Sequence, residues 1–206
     1  MFLDQLLTLL LTGLINMFFK IVWFLRAILY KILFFKSLGL VSYIGAPIFF
    51  TGLKSVRIGK RFRLYPGWRI EALQNGTIEI EEDVSAGQGL HLISLGSKLQ
   101  IGRGTVISTD VLITNSDHDY CQLDVPVYKQ PMLNKATVIG ENCFIGAGAK
   151  LLAGTVLGRQ CIVGANAVIK GHYPDYCVIA GNPAKIVKRF DNVSKQWIRT
   201  SASQSE

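Results

Sequence analysis

From residue 56 onward an aliphatic side chain recurs at every sixth position, and this period constrains the fold more than any other feature. Hexads beginning at 58, 64, 70, then 80, 86, 92, then 101, 107, 113, then 139, 145, 151, and then 157, 163, 169 supply the frame. They open on Ile58, Leu64, Ile70, Ile80, Ala86, Leu92, Ile101, Ile107, Ile113, Ile139, Ile145, Leu151, Leu157, Val163 and Ile169. Only Ala86 departs from Ile, Leu or Val, and the stretch from Ile139 to Ile169 runs without a gap. A period of six does not fit the 3.6 of an α-helix. Glycine takes the second position in seven hexads, at Gly59, Gly87, Gly102, Gly140, Gly146, Gly158 and Gly164. The fifth position is small or apolar at Thr105, Val111, Cys143, Ala149, Thr155, Cys161 and Ala167. The pattern reads as a solenoid of three short strands per turn, with one aliphatic per strand pointing inward and small residues relieving the corners. Coils of about 18 residues then stack at the strand spacing of about 4.8 Å.

The coil starts at 58, 80, 101, 139 and 157 are unevenly spaced, and the third gap carries the excess. An insertion at about 119–138 leaves the solenoid directly after Asn115-Ser116-Asp117-His118-Asp119-Tyr120. Insertions in a repeat array become surface loops, often at the binding face. His118 is therefore the catalytic candidate, because imidazole can act as a base near neutral pH and an adjacent carboxylate, Asp117 or Asp119, can fix its tautomer. Asn115 and Tyr120, which bracket the break, are candidate acceptor contacts. His91 closes a hexad and reads as structural, and His172 reads as surface. A shared metal site would need closer histidine spacing, so no metal is expected.

The segment from 139 to 150, Ile-Gly-Glu-Asn-Cys-Phe-Ile-Gly-Ala-Gly-Ala-Lys, resembles the hexapeptide-repeat acyltransferases. So does the closing Ala180-Gly181-Asn182-Pro183-Ala184-Lys185. The likeness is greatest to the O-acetyltransferases of surface polysaccharides and to the maltose and galactoside acetyltransferase group. It implies a left-handed parallel β-helix of about five coils over 56–180, a homotrimer, acetyl-CoA as co-substrate, and His118 as general base. Coenzyme would lie along the last coils between subunits. Ala147, Gly148, Ala165 and Gly181 would let backbone approach the pantetheine arm, and Lys170, Lys185, Lys188 and Arg189 would meet phosphates. The alternative for these cations is a solvated tail over 181–206, expected as a short extension or helix. Relatives usually carry Trp where this chain has Phe144, which cannot donate a hydrogen bond. Phe144 then either lines the acetyl site or is ordinary packing.

Composition sharpens the partner. Half of the 206 residues are hydrophobic and 17% are charged, which excludes a disordered chain. The four cysteines form no CxxC pair, so neither a zinc ribbon nor a disulfide framework is evident. A net charge of +8 favours anionic partners. Coenzyme phosphates and anionic lipid suit it, and no nucleic acid is needed.

Residues 1–50 are the most apolar part. On a helical wheel Gln5, Thr8, Thr12, Asn16, Lys20, Arg26, Ala27 and Lys31 share one side, while Leu6, Leu7, Leu10, Leu14, Phe18, Ile21, Leu25, Ile28 and Ile32 share the other. The expectation is a helical segment lying in the plane of the cytoplasmic face of the inner membrane. The alternative is a helix packed on its own domain or on a neighbouring subunit. The acceptor would be a hydroxyl of a capsule or lipopolysaccharide glycan or of its lipid-linked precursor. The competing readings are an acetyltransferase for a small diffusible acceptor and a non-catalytic membrane scaffold.

Overall fold

The computed structural model describes residues 2–200, and its side chains from residue 11 onward. Met1, residues 201–206 and the side chains of Gln5, Leu6, Leu7, Thr8 and Leu10 lie outside the description. One helix, α1 (Phe2–Leu33), precedes a parallel β-solenoid. Three sheets run along the solenoid. The first stacks strands from Ser37–Leu38 to His172–Tyr173, the second begins at Tyr43–Ile44, and the third runs from Pro47–Thr51 to Val168–Ile169. The hexad frame matches the register. Ile58 pairs with Ile80, Ile101 with Ile139, and Ile139 with Leu157, always one coil apart. These side chains, and the fifth-position residues Thr105, Val111, Cys143, Ala149, Thr155, Cys161 and Ala167, are all buried.

Three expectations need correction. The solenoid makes about six turns rather than five. Residues 37–51, read within the helical segment, form a first coil whose strands pair with the next. Its inward positions continue the six-residue spacing at Leu38, Ile44 and Phe50, the last an aromatic in register with Ile70 and preceded by an irregularity between Pro47 and Phe49. The C-terminal segment is neither loose nor helical. Cys177–Gly181 turns back into Ala184–Asp191, which pairs antiparallel with it and then with Gln196–Arg199. Strand alternation there (Ile186, Lys188 and Phe190 against Lys185, Val187 and Arg189) was masked by the basic charge. The insertion also starts earlier than 119, because Ser116–His118 and Met132–Asn134 form an antiparallel hairpin outside the solenoid.

The first coil would present an open end, and α1 closes it. Ala27 is buried, and Val22, Trp23, Arg26 and Tyr30 are half-buried along one flank at i, i+4 spacing. Arg26 Nη1 donates to Ile44 O at 3.3 Å, so this cation faces protein rather than solvent. Tyr30, Phe34, Phe50 and Trp68 form an aromatic cluster, with Phe50 stacked on Trp68 at 5.8 Å. Trp68 is fully buried and its indole N–H donates to Gly45 O at 2.8 Å. The opposite flank of α1, with Ile21, Leu25, Ile28, Leu29 and Ile32, stays exposed. The apolar stripe thus points away from the core.

Trp68→Ala removes the largest buried side chain beneath the cap and leaves Gly45 O without its donor. A loss of about 3–5 kcal/mol is expected, read as a lower midpoint in chemical denaturation.

Candidate active site

His118 ends the first strand of the hairpin, just past the corner between the third and first sheets. The hairpin is held by buried polar groups. Asn115 is fully buried, its Oδ1 accepting from Leu95 N at 2.7 Å and its Nδ2 donating to Ser94 Oγ at 2.9 Å. It therefore anchors the hairpin and does not contact an acceptor, contrary to the sequence expectation. Thr137 Oγ1 donates to Thr114 O at 2.8 Å and closes the base where the chain re-enters the solenoid. Gln130, unmarked in the sequence, is buried and binds Gln122 through both its amide groups and Val125 O through its N–H. A glutamine in an irregular loop gave no periodic signal, so the sequence reading missed it.

His118 itself is exposed, and its imidazole makes no hydrogen bond with the described residues. Neither adjacent carboxylate reaches it. Asp117 Oδ1 accepts from the backbone N–H of His118 at 3.0 Å, and its Oδ2 lies 3.6 Å from Lys170 Nζ. Asp119 Oδ1 accepts from Cys121 N at 3.0 Å, and the Cys121 backbone and thiol hold its carboxyl below the usual range. Tyr120 is 73% exposed in the same loop, free to meet an acceptor.

The coenzyme candidates divide into two groups. Lys170 shares the corner of His118 through Asp117. Ala147, Gly148, Ala165 and Gly181 stack at the other end of the third sheet, about five residues or roughly 16 Å of strand away. A Cβ on Gly148, at φ +71°, would meet the Asn166 side-chain oxygen, one on Gly164 would lie 3.1 Å from Ala180 Cβ, and one on Gly181 would come no nearer than 3.4 Å, to Pro183 O. Phe144 lies on the outer second sheet, 46% exposed, in a ladder with Val106 and Ile162. Lys185 and Arg189 are exposed on one side of the C-terminal strand, while Lys188 is half-buried on the other and does not join them. None of the three forms an ion pair with the described residues. Within one chain, then, His118 and the small-residue corner do not meet.

A second polar cluster sits on the outer third sheet. Arg69 Nε binds Glu71 Oε1 at 2.5 Å, and His91 Nε2 lies 3.6 Å from the same oxygen without a hydrogen bond. His91 is thus a structural residue facing outward. Burial, then Arg69, push its pKa below 6.5, against the pull of Glu71.

The repeat and the register define a parallel β-solenoid of about six turns, the architecture it shares with solved acyltransferases. Residues 136–171 match the "Bacterial transferase hexapeptide (six repeats)" family model, and the chain is similar to that family over these coils. WbbJ of Escherichia coli, which carries the name of a lipopolysaccharide biosynthesis O-acetyl transferase, is 29% identical over 179 residues, covering 84% of this chain and 89% of its own. A polysialic acid O-acetyltransferase of Escherichia coli is 33% identical over 135 residues, covering 66% of this chain but only 42% of its own. Among solved structures, AntD, an N-acyltransferase from Bacillus cereus in complex with dTDP and coenzyme A, superposes with a TM-score of 0.67 at 18% identity. That match covers 81% of this chain and 89% of AntD.

For His91 the sign of the pH dependence is fixed. Its folded-state pKa lies below the unfolded value of 6.5, so the unfolded chain takes up the proton first. Its contribution is complete above pH 6.5 and is lost as pH falls below it. His91→Gln should flatten the acid-side fall in Tm in that window, measured by thermal melts across pH.

Proposed function

We propose that this chain transfers acetyl from acetyl-CoA to a hydroxyl of a surface polysaccharide or its lipid-linked precursor, working as a homotrimer on the cytoplasmic face of the inner membrane. The observation that carries it is an exposed, unbonded His118 on a rigidly anchored hairpin at the one large break in the repeat. The names of the two curated relatives support the polysaccharide acceptor. His118 takes the proton of the acceptor hydroxyl as its oxygen attacks the thioester carbonyl. The C–S bond breaks as the new C–O ester forms, and His118 returns the proton to the departing sulfur. Asp117 holds the backbone at His118 and, with Lys170, steadies the hairpin. The small-residue corner suits the close approach of a pantetheine arm, and Lys185 and Arg189 suit phosphates.

Two features support the trimer. His118 and the small-residue corner are a full sheet apart in one chain, so a neighbouring copy is needed to join them. The exposed ladder Val106–Phe144–Ile162 and the loop residues Leu123, Val127, Tyr128 and Leu133 give that neighbour an apolar surface. The outward-facing stripe of α1 supports the membrane. Leu11–Leu33 is long and apolar enough to span a bilayer, yet the solenoid flanks residues 22–34 on one side, which suits an in-plane helix with its free flank in the acyl boundary. A diffusible acceptor gives that stripe no purpose.

His118→Ala is expected to cut turnover by about 10² to 10⁴ with coenzyme binding retained. Turnover within a few-fold of the parent removes His118 from the chemistry. In analytical ultracentrifugation the active species should have three times the mass of one chain, and a fully active monomer contradicts the shared site. The triple variant Leu25→Ser, Leu29→Ser, Ile32→Ser should melt like the parent, because these side chains are exposed. It should no longer float with liposomes. Truncation of residues 1–36 is the poorer test, since it strips the cap from Trp68 and Phe50.

A further inference from the structure

Helix α1 and the first two coils enclose a cavity of about 150 Å³ lined by Lys20, Trp23, Tyr43, Arg63, Leu64 and Tyr65. It opens on the second sheet, where Tyr43 and Arg63 are in register on adjacent coils. The hairpin of His118 leaves from the fourth coil at a different corner, so the acetyl-transfer site makes no use of this cavity.

Its walls combine two chemistries. Lys20 and Arg63 form no ion pair with the described residues. Arg63 is close enough to Asp83 to help lower its pKa, yet both oxygens of that carboxylate are already held by Arg61. The hydroxyls of Tyr43 and Tyr65 likewise have no hydrogen-bond partner among the described residues. An ammonium, a guanidinium fork and two phenols, all unengaged, match the oxygens of a phosphoryl group. The remaining walls are aromatic and braced. Trp23 meets Tyr65 edge-on at 5.4 Å, and Tyr43 is backed by Phe24 at 6.0 Å.

The cavity adjoins the exposed stripe of α1 directly. Phe19 contacts Trp23 at 6.3 Å, and Phe19 and Phe24 are both exposed beside it, followed by Leu25, Ile28 and Ile32. Trp, Tyr, Lys and Arg clustered beside the exposed apolar flank of a helix are the residues that settle at a membrane–water interface. A free phosphate would engage the cations and leave the stripe unused, whereas a lipid engages both. We propose that this cavity binds the phosphoryl headgroup of a membrane lipid, with the lipid tail lying along the exposed flank of α1. The proposal rests on the membrane reading above.

The test uses full-length protein and flotation with two vesicle types, pure phosphatidylcholine and phosphatidylcholine doped with phosphatidic acid. The cavity variant K20Q/R63Q is compared with K31Q/K36Q, which removes two cations of the same segment outside the cavity. General attraction to an anionic surface is worth about fivefold per charge, so it predicts equal losses for the two pairs. The headgroup site predicts that K20Q/R63Q loses at least about tenfold more affinity for the doped vesicles, while both variants melt like the parent. Inorganic phosphate should not release the parent protein. Equal losses in the two pairs overturn the site. Release by inorganic phosphate makes the cavity a free-phosphate site and overturns the lipid. Failure of the parent to float with either vesicle overturns the membrane reading itself, whereas equal flotation with both, unmoved by K20Q/R63Q, overturns only the headgroup site.

Discussion

Each inner coil of this protein is hydrogen-bonded, strand over strand, to the coil before and the coil after. That continuous backbone ladder is the constraint on which the rest depends. A parallel pair tolerates no slip, because a shift of one residue would turn the inward side chains outward. Ile80, Ile101, Ile139 and Leu157 hold one line through the interior because Gly59–Ile80, Gly102–Ile139 and Gly140–Leu157 backbone bonds lock each corner onto the next. At these corners backbone approaches backbone so closely that a Cβ on Gly102 or Gly140 would fall within 3 Å of the neighbouring coil. The glycine at hexad position two follows from that proximity.

A ladder of this kind ends in two open edges, each a template for unwanted pairing. The two ends are closed by different means. At the first coil α1 lays Val22, Trp23, Ala27 and Tyr30 across the opening. At the last, Ala184–Asp191 reverses direction and pairs antiparallel, so the edge that remains is the short strand Gln196–Arg199. Among the described residues the first closure leaves the longer apolar surface uncovered, from Leu11 to Leu33, while the second exposes Val187, Val193, Trp197 and Ile198.

The interior was legible in the sequence because one aliphatic in six is a strong, redundant signal, and the break was legible as its interruption, though read a few residues late, at about 119 rather than 116. What escaped detection obeys other rules. The coil at 37–51 carries Leu38 and Ile44 inside but begins amid apolar residues, so periodicity had nothing to contrast with. Asn115 looked like a site residue from its place beside His118, but its amide is spent on Leu95 and Ser94 in the core. Arg26 and Ala27 fell on the polar side of the wheel, and that side faces the solenoid because Ile44 O supplies a partner for the guanidinium. The cavity at Lys20 joins residues that are 43 positions apart between Lys20 and Arg63, a proximity no local pattern encodes.

The cap has a geometric consequence. Arg26, Trp23 and Tyr30 fix α1 across the end of the solenoid, so the helix and the β-body move as one piece. If α1 lies in the membrane, the solenoid stands on end like a post, and the coil number of each residue becomes an altitude. His118 leaves from the fourth coil, three spacings of about 4.8 Å above the first, so it stands roughly 14 Å higher than the coil that rests on the helix. A sugar attached to the bilayer by a short link would pass beneath it. In the proposed membrane-bound state, the number of coils between cap and hairpin would set the height above the bilayer at which the imidazole meets its acceptor.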